Sequence, residues 1–189
     1  SFCIVGINFR KSDMSVRGKF SITPDQSVVL LNQAANNKVP GCLVLSTCNR
    51  TEIYGISTDP QVLVEMFCAN TNTTKEDFLE QSYTYSGIGA IEHLFKVASG
   101  LDSQIIGDYE ILSQLKHSAK IAKECGSFNS FMERAINYAL QVSKEIKTKT
   151  KLSSGTVSVS YAAVEIIKEK IKDLTNKKIL LVGTGKFGN

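Results

Sequence analysis

Apolar residues along the first half of the chain recur in short runs that polar turns interrupt. Runs of this length, rich in β-branched and aromatic residues, are typical of β-strands. Two helices are predicted between them, because Thr23 and Gln26 can form a capping box and Asp59-Pro60 can begin a second helix. The predicted strands are residues 2–9, 42–47, 52–57 and 83–85, and the predicted helices are residues 24–37 and 60–68.

From Ile88 the hydrophobic period lengthens from two residues to about 3.6, and four apolar stripes at helical spacing follow as far as Ile171. A continuous apolar run, Ile179–Val182, then has the character of a buried strand in a parallel sheet. The pattern predicts an α+β fold: a small antiparallel-type sheet with flanking helices, a helical half, a linker helix and the first strand of a truncated Rossmann domain. The predicted boundaries are 1–152 for the first domain, 153–174 for the connecting helix and 175–189 for the start of the second domain.

Composition indicates a folded protein of ordinary polarity, with 42% hydrophobic and 21% charged residues. The five cysteines form an odd number without C-x-x-C spacing, which argues against a disulfide framework and a zinc site and favours a reducing cytoplasm. No apolar run is long enough to span a bilayer, and residues 1–9 lack the features of a secretory signal. The formal net charge of +4 permits contact with nucleic acid without requiring it.

Cys48 differs from the other four cysteines in its surroundings. It lies in a polar turn, Cys48-Asn49-Arg50, directly after a predicted buried strand, whereas the others lie within or beside apolar stretches. A nearby cation such as Arg50 favours the thiolate, which is the nucleophilic form of the side chain. Local chemistry therefore supports a reactive and an inert Cys48 about equally, and favours inert thiols at the other four positions.

A glycine-rich segment follows the last apolar run directly. Its G-x-G-x-x-G spacing is that of a dinucleotide site, where glycines permit a tight turn and close approach of the pyrophosphate to a helix N-terminus, and the preceding strand strengthens the prediction. The candidate cofactor-binding residues are Gly183, Thr184, Gly185, Lys186, Phe187 and Gly188. The residue that selects NAD or NADP would follow about twenty positions later, so we expect the cofactor site to be incomplete in this chain.

The chain has only two histidines as candidates for general acid–base chemistry. His117 lies in a lysine-rich helical segment and is interpreted as a solvated surface residue. His93 lies beside the apolar face around Ile91 and Phe95, so its local sequence favours a structural role. The lysines at positions 144, 147, 149 and 151 are interpreted as a solvated helix end, with phosphate contact as the less favoured alternative.

Five motifs, in order along the chain, resemble those of the glutamyl-tRNA reductase family. They are Gly6-Ile7-Asn8, S-T-C-N-R-T-E at 46–52, the block from Ala98 to Gly107, T-V-S-V-S-Y-A-A at 156–163 and the V-G-T-G-x-x-G terminus. The resemblance covers essentially the whole chain. It implies that Cys48 attacks the ester of glutamyl-tRNA to form a thioester, which is reduced by NADPH to glutamate-1-semialdehyde on the route to 5-aminolevulinate and tetrapyrroles.

The resemblance also implies roles for individual residues. His93 falls where the family has a histidine linked to activity, which reverses the structural interpretation given above. The implied catalytic residues are Cys48 and His93, and the implied substrate contacts are Thr47, Asn49, Arg50, Ser103, Asp108, Tyr109, Glu110 and Gln114, with Arg50 suited to two-point capture of the glutamate carboxylate. Two departures weaken the correspondence: Asp108-Tyr109-Glu110 replaces the usual Glu-Pro-Gln, and Phe9 replaces a common histidine.

The partners that the resemblance implies are glutamyl-tRNA(Glu), a second copy of the parent protein bound through a C-terminal domain outside this chain, and an aminomutase acting next; no membrane is expected. Two alternatives of different class stay open. One is a tRNA-binding or regulatory relative that lacks the chemistry and would not need Cys48. The other is an unrelated dinucleotide oxidoreductase with a redox cysteine, which would need a resolving thiol or a dehydrogenase acid–base pair that the sequence does not show.

Overall fold

A computed structural model describes residues 1–36, 39–71, 73–108, 110–150, 159–180 and 182 of the chain. The strands are β1 (Phe2–Asn8), β2 (Cys42–Ser46), β3 (Arg50–Ile56) and β4 (Tyr83–Ser86). The helices are α1 (Met14–Lys19), α2 (Pro24–Asn36), α3 (Gln61–Thr71), α4 (Lys75–Gln81), α5 (Ile88–Ala98), α6 (Glu110–Glu124), α7 (Ser130–Lys149) and α8 (Val159–Lys170). The predicted α+β class is confirmed.

The four strands form one antiparallel sheet in the order β2-β3-β1-β4. Gly6 of the central strand β1 lies opposite Glu52 of β3 on one side and opposite Tyr83 of β4 on the other. Because alternate residues of a strand point to the same face, Arg50 and Tyr54 share the face of Glu52. The register therefore gathers polar side chains on one face of an otherwise apolar sheet.

Helices cover both faces of this sheet. On one face, α3 packs Leu63 so closely over Gly55 of β3 that a Cβ atom there would lie 2.7 Å from a Leu63 methyl group. On the other face lie α5 and α7, with the ring of Phe131 5.5 Å from the ring of Phe2. The interior between these layers is buried and apolar, and its removal from water favours the folded state.

The N-termini of the helices show which local sequence signals predicted a helix correctly. The predicted capping box is present, because Thr23 N–H donates to Gln26 Oε1 (2.8 Å) and Gln26 N–H donates to Thr23 Oγ1 (3.3 Å). Two helices were not predicted. Helix α1 is capped by Asp13 and buries none of its residues, and α4 is capped by Thr74 and buries only Phe78. Helices this short leave too little apolar periodicity to be recognised.

The structure differs from the prediction around the first turn. Strand β3 begins at Arg50, two residues earlier than expected, so the turn is confined to residues 47–49. Arg50 thereby becomes a sheet residue, and the strand alternation fixes the face to which its side chain points.

The C-terminal segment differs as well. Helix α8 ends at Lys170, short of the expected 174, and residues 153–158 lie outside the described residues. The strand predicted at 179–182 is wrong for its described residues, because Ile179, Leu180 and Val182 have no regular secondary structure and are 70%, 86% and 87% exposed. Among the described residues no strand pairs with them, and an apolar strand of a parallel sheet needs cover on both faces. The domain boundaries at 152 and 174 stay predictions. Within the described residues, no helix combines the length and apolarity that crossing a membrane requires.

Candidate active site

Cys48 lies at the surface, in the turn between β2 and β3. Hydrogen bonds from within the turn and from two other segments hold its backbone. Thr47 Oγ1 accepts the Asn49 N–H (3.2 Å), Phe9 N–H donates to the Asn49 carbonyl (2.9 Å), and Arg17 Nε donates to the Cys48 carbonyl (3.2 Å). The thiol is thus presented to solvent on a braced turn, whereas Cys3 and Cys42 are buried.

A buried carboxylate, Glu52, lies on β3 four residues beyond Cys48. It is 0% exposed and is surrounded by donors from three separate elements. Its Oε1 contacts Arg50 Nη1 (3.1 Å), His93 Nε2 (2.6 Å) and the Tyr83 hydroxyl, and its Oε2 accepts the Tyr54 hydroxyl (2.5 Å). A charge buried this deeply needs such partners, because an unpaired one would cost several kcal/mol. We call these five residues the Glu52 cluster.

Protonation within the Glu52 cluster follows from these contacts. Burial alone would raise the pKa of Glu52, but the charge of Arg50 and the contact with His93 outweigh burial and lower that pKa to about 2. Glu52 is therefore ionised at neutral pH and only accepts hydrogen bonds, so His93 Nε2 carries a proton and Nδ1 is left for another partner. Burial and the charge of Glu52 raise the pKa values of Tyr54 and Tyr83 well above their usual value, so both hydroxyls remain donors.

Asp102 brings a second carboxylate to Arg50. Its Oδ2 lies 3.1 Å from Arg50 Nη1, and its backbone carbonyl accepts Arg50 Nη2. Its Oδ1 pairs with Arg10 Nε at 2.7 Å. The Arg50 side chain is only 2% exposed, whereas that of Arg10 is 55% exposed. Arg50 is therefore held between two carboxylates, and Asp102 links this buried arginine to an exposed one.

The loop after α5 places Asp102. It begins at Gly100, whose φ of +70° is disfavoured for other residues and whose Cβ position would lie 2.8 Å from the Asp108 carbonyl oxygen. Gly107 N–H closes the loop on the Gly100 carbonyl (3.0 Å), and Asp102 N–H returns to the Lys96 carbonyl (3.3 Å). The glycine in the S-G-L-D-S block is therefore required by geometry.

His93 on α5 lines a cavity of about 450 Å³. Its ring stacks on Tyr85, with centroids 4.7 Å apart and planes inclined by 26°. The cavity is lined by Arg10, Tyr85, Gly89, Glu92, His93, Lys96, Leu101 and Asp102. Charged groups and a histidine of fixed orientation thus surround a space large enough for a small polar ligand.

A second, larger depression of about 800 Å³ contains Cys48, and we call it the Cys48 groove. It is lined by Phe9, Arg10, Lys11, Ser12, Asp13, Met14, Arg17, Cys48, Asn49 and Gln104. Arg10 lines both spaces, so the cavity beside His93 and the Cys48 groove adjoin at this residue.

The structure brings part of the predicted site together. Cys48, Thr47 and Asn49 form the turn, while Arg50 and His93 meet at Glu52. Ser103 is half-buried in the loop after α5, Asp108 accepts the Glu110 N–H (3.0 Å) at the start of α6, and Gln114 is half-buried on α6. Tyr109 and the segment Gly183–Gly188 lie outside the described residues. The described residues contain no group of three or more His, Cys, Asp and Glu arranged to hold a metal ion.

Sequence reasoning missed the residues that organise this site: Glu52, Tyr54, Tyr83, Asp102, Arg10 and Arg17. It also took Arg50 as the cation beside Cys48, whereas the guanidinium bonded to the Cys48 backbone is that of Arg17. One signal was available for Glu52. A carboxylate and an arginine at alternate positions of a strand flanked by apolar residues must share one face, and a covered face requires them to pair.

A surface thiol on a braced turn, followed by a strand whose buried ionised carboxylate orients a histidine, defines a candidate thiol site on an α+β domain. The family model described as "Glutamyl-tRNAGlu reductase, N-terminal domain" matches residues 5–150. The chain therefore belongs to the glutamyl-tRNA reductase family, as its motifs predicted.

Individual relatives agree with this assignment. The chain is 47% identical to glutamyl-tRNA reductase from Flavobacterium psychrophilum over all of its length and 46% of the relative's, and 35% identical to that from Desulforudis audaxviator over 97% of its length and 42% of the relative's. Among solved structures, glutamyl-tRNA reductase from Methanopyrus kandleri matches 98% of the chain and 44% of its own, with a TM-score of 0.72 and 27% identity. The chain spans less than half the length of these relatives.

Proposed function

We propose that the parent protein is an NADPH-dependent glutamyl-tRNA reductase that works through a thioester on Cys48. The observation that carries this proposal is the placement of Cys48. Its turn is held by contacts from three segments, yet the residue remains exposed. A buried, inert cysteine would need neither feature.

The first half-reaction is acyl transfer. The Cys48 sulfur, as thiolate, forms a bond to the ester carbonyl carbon of glutamyl-tRNA, and the bond from that carbon to the ribose oxygen breaks. The ribose oxygen leaves with the proton that the Cys48 thiol gave up on forming the thiolate, and the glutamyl group remains on sulfur as a thioester. Because Glu52 fixes the proton of His93 on Nε2, His93 can exchange a proton with a bound ligand only through Nδ1. We assign His93 this proton-handling role.

The second half-reaction reduces the thioester to glutamate-1-semialdehyde and releases the Cys48 thiolate. NADPH, when bound, supplies the hydride for this step. The residues that we propose to hold it are Gly183–Gly188, of which Gly183, Gly185 and Gly188 carry the fingerprint spacing. Among the described residues, Gly87 and Gly89 also lie where a strand meets a helix, but Glu92 stands where the fingerprint spacing needs its third glycine, so we assign cofactor binding to Gly183–Gly188.

The remaining predicted contacts belong to the substrate side. We assign Arg50 to the glutamate carboxylate, with Thr47 and Asn49 beside it on the turn. The other proposed contacts are Ser103, Asp108, Tyr109, Glu110 and Gln114, on the loop after α5 and the start of α6. At three of these positions the chain has Asp108-Tyr109-Glu110 in place of the Glu-Pro-Gln common in the family.

Family membership removes one alternative, the unrelated dinucleotide oxidoreductase. The other, a binding or regulatory relative, is disfavoured by the exposed Cys48. For the parent protein we further propose a cytoplasmic location, a homodimer formed through sequence beyond this chain, and transfer of the aldehyde product to an aminomutase that completes 5-aminolevulinate.

The direct test is mass spectrometry of the full-length protein mixed with glutamyl-tRNA in the absence of NADPH. We expect a glutamyl adduct on Cys48 and none on the other four cysteines, and its loss on addition of NADPH. An adduct on another residue, or turnover without any adduct, would refute the thioester route.

A further inference from the structure

Tyr85 packs directly against His93 but has no part in the chemistry assigned so far. It lies on β4, an edge strand of the sheet, and it is 39% exposed. Its ring stacks on the His93 imidazole and lines the cavity of about 450 Å³. Tyr85 does not belong to the buried apolar core, so the stability of the fold does not by itself explain an aromatic residue here.

Hydrogen bonding holds His93 at one nitrogen only. Its Nε2 donates to Glu52 Oε1 at 2.6 Å, and none of the residues that the structure describes bonds its Nδ1. The ring of Tyr83 lies 5.3 Å from the imidazole, but the two planes are inclined by 59°, so this ring meets the imidazole at an angle. The face-to-face contact comes from Tyr85, with ring centroids 4.7 Å apart and planes inclined by 26°.

The bond to Glu52 leaves one motion of the imidazole weakly restrained. The χ2 torsion of histidine is broad, so a single hydrogen bond defines the plane of the ring poorly. Rotation about χ2 moves Nδ1 further than Nε2, because Nε2 lies closer to the axis of the Cβ–Cγ bond. A ring stacked on the face of the imidazole opposes this rotation, since turning the imidazole would lose the stacking contact and push one of its edges into the tyrosine.

Resting on the proposed function, we propose that Tyr85 is a positioning residue for the acyl-transfer step. It holds the plane of the imidazole so that Nδ1 of His93 meets the proton that it exchanges with the bound ligand. The ring performs this task and the hydroxyl does not. Within the described part of the chain the Tyr85 hydroxyl has no hydrogen-bond partner, whereas the hydroxyls of Tyr54 and Tyr83 both donate to Glu52.

Variants of the full-length protein that remove or keep the ring test the proposal. Tyr85→Leu removes the ring but keeps an apolar side chain, and Tyr85→Phe removes only the hydroxyl. The measurement is the single-turnover rate of glutamyl transfer to Cys48 at saturating glutamyl-tRNA. We expect Tyr85→Leu to be slower by roughly two- to ten-fold, the effect of losing one aromatic pair, and Tyr85→Phe to keep the wild-type rate. The glutamyl-tRNA concentration that gives half the maximal rate should stay unchanged in both variants.

Two controls separate positioning from a general loss of structure. Tyr138→Leu, at an exposed tyrosine on α7 outside the cavity, should leave the rate unchanged. In a His93→Asn background, Tyr85→Leu should cause no further slowing, because a residue that acts through His93 then has nothing to position. Tyr85 is exposed enough for the leucine variant to fold, which circular dichroism checks, and Tyr85→Val replaces it otherwise, since valine suits a strand.

A wild-type rate in Tyr85→Leu, a phenylalanine variant as slow as the leucine variant, or equal slowing with and without His93 would overturn the proposal. Proton NMR of the histidine-labelled protein examines the stack independently of the reaction. The His93 ring protons should shift in Tyr85→Leu, which lacks the ring current, and stay in place in Tyr85→Phe; unchanged positions in the leucine variant would also overturn the proposal. Failure of the proposed function has a different signature, because the wild type would then form no glutamyl adduct on Cys48 although its spectrum shows the stack.

Discussion

Replacement of Glu52 by glutamine should change how the stability of this protein depends on pH. The pKa of Glu52 is lowered to about 2, against an ordinary value of 4.5. Because a pKa unit corresponds to about 1.4 kcal/mol, ionisation of Glu52 contributes on the order of 3 kcal/mol to the free energy of unfolding at neutral pH. The contribution is complete above pH 4.5, where the carboxylate is charged in both folded and unfolded states. It falls as the pH drops towards 2 and is lost below that value.

The measurement is urea denaturation at a series of pH values between 2.5 and 7, for the wild type and Glu52→Gln. The free-energy difference between them should be several kcal/mol at pH 7, because the variant also leaves Arg50 with one carboxylate fewer. That difference should shrink by an amount on the order of 3 kcal/mol towards the acid end. The other carboxylates titrate in both proteins, so their contributions cancel when one free energy of unfolding is subtracted from the other.

Two further variants keep the test interpretable. Glu92→Gln removes an exposed carboxylate that pairs with Lys96. This variant should lose nearly the same free energy of unfolding between pH 7 and pH 2.5 as the wild type. Tyr54→Phe removes one donor to Glu52 and should move the acid loss of stability to higher pH, which can be measured even if Glu52→Gln does not fold. A difference between wild type and Glu52→Gln that is independent of pH would show that Glu52 is not held in its ionised form.

Three other predictions follow from the site. Cys48→Ser in the full-length protein should abolish NADPH oxidation with little change in melting temperature, since Cys48 is exposed; near-normal turnover would end the thioester proposal. Arg50→Lys should abolish most activity and lower the free energy of unfolding by roughly 2 kcal/mol or more in urea, because one ammonium cannot bridge two carboxylates as a guanidinium does; wild-type values for both would contradict this. Gly100→Ala should lower the melting temperature, whereas Gly18→Ala, in an open helical position, should raise it slightly; equal shifts would contradict the positive-φ argument.

Local sequence was informative wherever one segment determines its own structure. The capping box at Thr23 and the strand character of β1, β2 and β3 depend on residues within a few positions of one another; the box appears as predicted, and the strands lie within two residues of their predicted bounds. The exposed position of Cys48 also followed from its polar turn. Such signals need no knowledge of tertiary contacts.

The Glu52 cluster could not be found in this way, because its members come from β3, β4 and α5. Tyr83 and His93 lie 31 and 41 residues away from Glu52 along the chain. Only the register that sets Gly6 opposite both Glu52 and Tyr83, with no side chain between them, brings these groups into contact. A Cβ at Gly6 would lie 2.7 Å from Glu52 Cγ, so the glycine of the G-I-N motif leaves room for the Glu52 side chain. That reason becomes visible only once the strands are paired.

The same structure sets a condition on the carboxylate-binding role assigned to Arg50. Asp102 already contacts Arg50 Nη1, so a glutamate carboxylate that takes this nitrogen must displace it. Exchange of one carboxylate for another keeps the buried guanidinium paired, whereas adding a second without displacement would crowd like charges. Arg10, 2.7 Å from the other Asp102 oxygen, can hold the displaced side chain. On this assignment Asp102 must move away from Arg50 when substrate binds, and Asp102 lies in the loop that the hydrogen bond from Gly107 N–H to the Gly100 carbonyl closes. Arg50 is therefore paired with both Glu52 and Asp102 in the folded protein, and the proposed binding of a substrate carboxylate requires exchange with Asp102.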